Sequence, residues 1–110
     1  MPQLNDAALA FYLGQGPTQM LPGAGTDRSA TVGTSSATLI ARNDARKKFF
    51  IKNDGANNVW INFGPTATAV AGGGNFKLAS GGGYFEFTGY TGVISAIAET
   101  ASVNVTAREF

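Results

Sequence analysis

The chain has 110 residues, of which 44% are hydrophobic, 14% are charged and 15 are Gly, and its formal net charge is +1. That length holds one domain, which hides roughly two-thirds of its unfolded surface, and so small a charge excludes a global field steering the chain onto nucleic acid or an anionic membrane. With Cys 0 and His 0, disulfides, Ser-His and Cys-His nucleophile pairs and ordinary zinc sites are excluded as well.

Residues 1–33 carry turn formers at Gly14, Gly16, Pro17, Pro22, Gly23 and Gly25, too dense for a long helix or a central strand. The spacing predicts an extended N-terminal arm with one short helix over 6–13, Asn5 or Asp6 capping its start and Gly14 its end. Leu4, Phe11, Tyr12, Leu13, Met20 and Leu21 are a large apolar load for such a segment. Two readings stay open: the arm folds back on its own core, or it docks on a neighbouring subunit. The start Met1-Pro2-Gln3-Leu4-Asn5-Asp6 lacks the basic and apolar stretches of a secretory signal, so synthesis in a cytoplasm is expected.

Residues 34–110 form the second unit, where short strands alternate with turn clusters. Ala37, Leu39 and Ala41 alternate with Thr38 and Ile40. In Lys48–Lys52 the two lysines and Phe50 share one face, and in Val59–Phe63 the apolar Val59, Ile61 and Phe63 oppose Trp60 and Asn62. Asn53-Asp54-Gly55-Ala56-Asn57-Asn58 between them suits a hairpin turn. Phe76–Leu78, Tyr84–Thr88 with Phe85 and Phe87 inward, Val93–Ala98 and Ser102–Arg108 with Val103, Val105 and Ala107 inward complete the set. Seven to eight short strands at this spacing, without a helical pattern among them, predict an all-β fold: a single β-sandwich or small barrel.

The chemistry-bearing residues are sparse. Seven carboxylates remain as acids: Asp6, Asp27, Asp44, Asp54, Glu86, Glu99 and Glu109. Glu86, mid-strand among aromatics, is the best single candidate for glycosidase-type catalysis, which needs a second acid about 5–10 Å away. An outward strand position accounts for it without any catalysis. Gly72-Gly73-Gly74-Asn75-Phe76-Lys77 lacks the spacing and the following helix of a phosphate loop. No cofactor, metal site, small-molecule substrate or enzymatic activity is expected. Arg42, Arg46, Lys47, Lys48 and Lys52 form a basic cluster near Phe50 and Trp60, a pattern compatible with a nucleic-acid groove but equally with a solvated, lysine-protected edge. No nucleic-acid partner is expected. Trp60 and Tyr90 could stack on a sugar, or Trp60 could pack beneath the arm or a neighbour. The scarcity of charge, against roughly 25% in typical soluble domains, points to a surface covered by other chains.

Arg46-Lys47-Lys48-Phe49-Phe50-Ile51-Lys52-Asn53 followed by Val59-Trp60-Ile61-Asn62-Phe63-Gly64 resembles small virion proteins of tailed bacteriophages. The likeness continues through Leu78–Gly82, Tyr84–Phe87, Tyr90–Ala98 and Val103–Glu109, covering about residues 36–109. Among such proteins it is most like a head decoration, or cement, protein. The resemblance implies a structural role on the capsid surface, with the major capsid protein and further copies of the chain as partners, as homotrimers in many cases, and no membrane partner. Leu4, Phe11, Tyr12, Leu13, Met20, Leu21, Arg46, Lys48, Lys52 and Trp60 are the expected partner contacts. The alternatives are a tail or fibre-base component and a carbohydrate- or receptor-binding β-module.

Overall fold

The computed structural model describes residues 23–72 and 74–110. Its nine strands are β1 (Thr26–Asp27), β2 (Ala30–Val32), β3 (Ala37–Ile40), β4 (Lys48–Asn53), β5 (Val59–Phe63), β6 (Phe76–Leu78), β7 (Tyr84–Thr88), β8 (Ile94–Ala98) and β9 (Val103–Glu109). The first sheet runs β1-β9-β4-β7, with β2 also on β9, and the second runs β3-β8-β5-β6. Every pairing is antiparallel. The expected all-β sandwich is therefore present. The helix expected over 6–13 and the contacts expected at Leu4, Phe11, Tyr12, Leu13, Met20 and Leu21 lie outside the described residues.

The core forms where period-2 strands turn their apolar faces toward each other. Phe49 and Ile51 of β4 and Val103, Val105 and Ala107 of β9 meet Val59 and Ile61 of β5 and Ile94, Ala96 and Ala98 of β8, all nearly or fully buried. Each fully buried Val, Ile or Phe contributes about 1.5–3 kcal/mol of transfer free energy. The outward partners Asn104 and Thr106 stay exposed.

Three expectations change. The boundary near residue 33 moves, because Thr26, Asp27 and Ala30–Val32 pair with β9 in one unbroken register. The break at Arg28 and Ser29 is bridged by the Arg28 N–H on the Ala107 carbonyl (2.7 Å) and the Ala107 N–H on the Ser29 hydroxyl (3.1 Å). Ala30-Thr31-Val32 is a short strand that the glycines around it hid. In β3 the register shifts between Thr38 and Ile40, so Ile40 is fully buried although simple alternation sets it opposite Ala37. A bulge inserts one residue and resets the face.

The third change is topological. Asn53–Asn58 is not a hairpin turn: β4 pairs with β7 and β9 while β5 pairs with β6 and β8. The segment is an arch from one sheet to the other. Buried Asn53 organises it, donating from Nδ2 to the carbonyls of Asn57 (2.8 Å) and Leu78 (3.0 Å) and accepting the Gly55 N–H on Oδ1 (2.9 Å). The Asn-Asp-Gly chemistry that marks a turn is the same for both destinations. The β5–β6 connection does stay within one sheet. Its Ala67 is buried, and the Ala67 N–H donates to the Ser36 hydroxyl next to β3 (2.8 Å).

One side of the sandwich closes where β2 lies against β3 and β8. The other side has β6 and β7, the free edges of the two sheets among the described residues. Phenylalanine rings close it. Phe76 of β6 stacks on Phe85 of β7 at 4.9 Å, and Phe63 meets Phe87 edge-on at 5.0 Å.

Candidate interaction surface

The outer face of the first sheet carries the residues with chemistry to offer. Parity along β4, β7 and β9 sends Lys48, Phe50 and Lys52, then Tyr84, Glu86 and Thr88, then Thr106 and Arg108 outward. The register sets Arg108, Phe50 and Glu86 side by side in one row and Thr106, Lys52 and Tyr84 in the next. Phe50 stacks on Tyr84 (ring centroids 5.9 Å) and lies 6.3 Å from Phe110. Glu86 accepts the Tyr84 hydroxyl hydrogen bond and lies 3.4 Å from the Lys48 ammonium. That hydrogen bond, then the Lys48 charge, hold its carboxyl below the ordinary value, and the same bond raises the Tyr84 phenol. Glu86 is an outward strand residue bound to a phenol and a lysine.

Beside this face runs the aromatic seam of the two free edges. Phe76 and Phe87 of the seam are each 41% exposed, and Tyr84 on the adjoining outer face is 54% exposed, so three large rings on the two edge strands meet solvent. Exposed apolar surface gathered on one side, rather than scattered singly, marks a place of contact. The placement of Phe85 and Phe87 on one face was legible from alternation. Their exposure follows from β7 being an edge, which alternation does not reveal.

The expected contact residues divide sharply. Lys48 and Lys52 do lie on the outer face, Lys52 near Asp54 at 3.9 Å. Arg46 does not. It is 3% exposed, and its guanidinium donates to the carbonyls of Tyr90 (Nε, 3.0 Å), Ala41 (Nη1, 3.2 Å) and Gly92 (Nη2) and to the Glu109 carboxylate (Nη1, 2.9 Å). It is a structural staple between the 41–46 loop, the β7–β8 connection and β9, buried among these partners instead of exposed on the surface. Arg28 holds the second Glu109 oxygen at 2.7 Å. With Arg46 inside and Arg42 on Asp44 at 2.9 Å, the basic cluster read from sequence is not a continuous cationic surface.

Trp60 is also withdrawn, at 8% exposure, with the Lys77 ammonium 5.9 Å from its ring centroid. Tyr90 stacks face to face on Phe63 (4.5 Å, 12° between planes) and donates its hydroxyl to the Val93 carbonyl at 2.8 Å. Tyr90 therefore packs against the core, while Trp60 has the outward parity of β5, opposite Val59 and Ile61, yet is largely covered, so neither ring lies open. Among the described residues no three of the His, Cys, Asp and Glu side chains gather where they could hold a metal ion. Compared with family models, with curated proteins and with solved structures, the chain matches none.

Proposed function

We propose that the chain is a structural virion protein that attaches to the outside of a phage capsid as a decoration protein. The observation that supports this most is the set of exposed rings on the two edge strands of a sandwich with few charges, Phe76 and Phe87 in the seam and Tyr84 on the outer face beside it. A surface of that kind offers area for a protein partner, at about 25 cal/mol per Å² of apolar surface removed from water. The resemblance of residues 36–109 to small phage virion proteins supplies the kind of partner. The apolar residues before position 23 would add contact area of the same kind.

Co-sedimentation of the purified protein with intact phage heads and, separately, with tails tests the reading. Saturable binding to heads at a fixed stoichiometry is expected. Binding to tails alone would move the protein to a tail or fibre-base position, and binding to neither would end the virion reading. Deletion of residues 1–22, which spares β1 and β2, is expected to leave the sandwich folded and to weaken attachment to heads.

A further inference from the structure

The hydrogen-bond pattern of β7 specifies more than an exposed edge. The Asn53 N–H donates to the Gly83 carbonyl (2.8 Å) at one end of the β4–β7 ladder, and the Gly89 N–H donates to the Lys47 carbonyl (3.0 Å) at the other. Antiparallel bonds alternate along a strand, so the odd-numbered residues of β7 face β4. The N–H and C=O groups of Tyr84, Glu86 and Thr88 consequently point out from the free edge. β7 contains no proline, and its outward-turned side chains alternate with the half-buried Phe85 and the exposed Phe87.

We propose that β7 pairs antiparallel with β7 of a second copy about a two-fold axis at Phe85, joining the two first sheets into one continuous sheet. A two-fold normal to the sheet keeps inner faces inner, so the axis must fall on a residue position. An axis at Glu86 sets two carboxylates directly opposite, which is destabilising. At Phe87 it sets Phe85 against Gly89, whose φ of 103° bends the chain off the strand. At Tyr84 it sets Glu86 against Gly82, with φ 121°. An axis at Phe85 avoids both faults for the central residues and leaves only the end pair, Thr88 against Gly82, off the strand. Tyr84 then opposes Glu86 of the second copy, Phe87 lies over the side-chain-free Gly83, and the outer row reads Arg108, Phe50, Glu86, then Tyr84 and Lys52 of the second copy. Each Glu86 gains a cation two strands away and meets no like charge. The contact is isologous and closes at two copies. It does not depend on which particle, if any, the chain occupies.

Light scattering and sedimentation of the full chain are expected to give a concentration-dependent dimer. Glu86→Lys and Lys52→Glu are each expected to weaken it about two- to threefold, and the double exchange to restore most of the loss, with unchanged circular dichroism throughout. Because the chain has no cysteine, single replacements report the register. Phe85→Cys is expected to cross-link on oxidation, whereas Phe87→Cys, about 13 Å from its equivalent along the pair, is not. A monomer up to about 1 mM, a trimer, an additive charge exchange, or cross-linking at 87 in place of 85 would each overturn the pairing.

Discussion

Arg46 and Glu109 sit where a charge is expensive, and their partners explain why they stay there. The planar guanidinium serves three carbonyls and one carboxylate at once while its cation lies 5.6 Å from the Phe49 ring centroid. A lysine offers a single ammonium and cannot span that fork. Arg46→Lys is therefore expected to lower unfolding free energy by about 2–3 kcal/mol in urea titrations, because buried acceptors lose their donors. Glu109 gives the same staple a pH dependence. Burial pushes its carboxyl up, but hydrogen bonds from Arg46 and Arg28, with the charge of Arg28, outweigh that and hold it below the ordinary 4.5. A depressed folded value means that the unfolded chain takes up the proton first. The contribution is complete above about pH 5 and is lost as the pH falls through the depressed value, so melting temperature is expected to drop on that acid limb. Glu109→Gln should flatten the limb while lowering the plateau. Ser95 is the converse case: its hydroxyl is fully buried and has no hydrogen-bond partner among the described residues. Ser95→Ala removes an unsatisfied group, and a rise of up to about 1 kcal/mol is expected in the same titrations.

At the level of the strand, the turn before β7 places the proposed pairing edge. Its Gly83 N–H donates to the Ala79 carbonyl at 3.0 Å, and a Cβ at position 83 would come within 2.4 Å of the Ala79 nitrogen. Backbone on both sides cannot yield as a flexible side chain can. Gly83→Ala is expected to destabilise the fold by about 1–3 kcal/mol and to broaden the amide resonances of Tyr84 to Thr88. Such elements also separate what sequence can reveal from what it cannot. Alternation over Val103–Ala107, Val59–Phe63 and Phe49–Ile51 identified strands and inner faces, because one residue of slip would expose the whole apolar set. The destination of each strand was hidden, since Asn53 and Gly55 encode a change of direction and not the sheet entered next. Arg46 looked like surface charge because its acceptors are backbone carbonyls and one carboxylate 63 residues away, none of which leaves a local pattern. The rings on β6 and β7 could be assigned a face but not an exposure, which depends on strand order.

Across the whole molecule, β5–β6 and the run of β1 into β2 are the connections that stay within one sheet; the rest cross between sheets. β9 is central to this plan, because β1, β2 and β4 all hydrogen-bond to it. Hence most of the first sheet has no ladder until β9 has left the ribosome. Through that interval the nascent chain holds β4 and β7 with unsatisfied edges, a state open to capture by other chains. The separation in sequence also means that closing large loops must precede most of the reward from pairing. Refolding from urea is therefore expected in the millisecond-to-second range of all-β domains rather than in microseconds. Stopped-flow tryptophan fluorescence would follow it from a single reporter, Trp60. Until β9 arrives the edges of β4 and β7 need shielding, so synthesis rate and chaperone supply, and not stability alone, are expected to set how much folded chain is recovered.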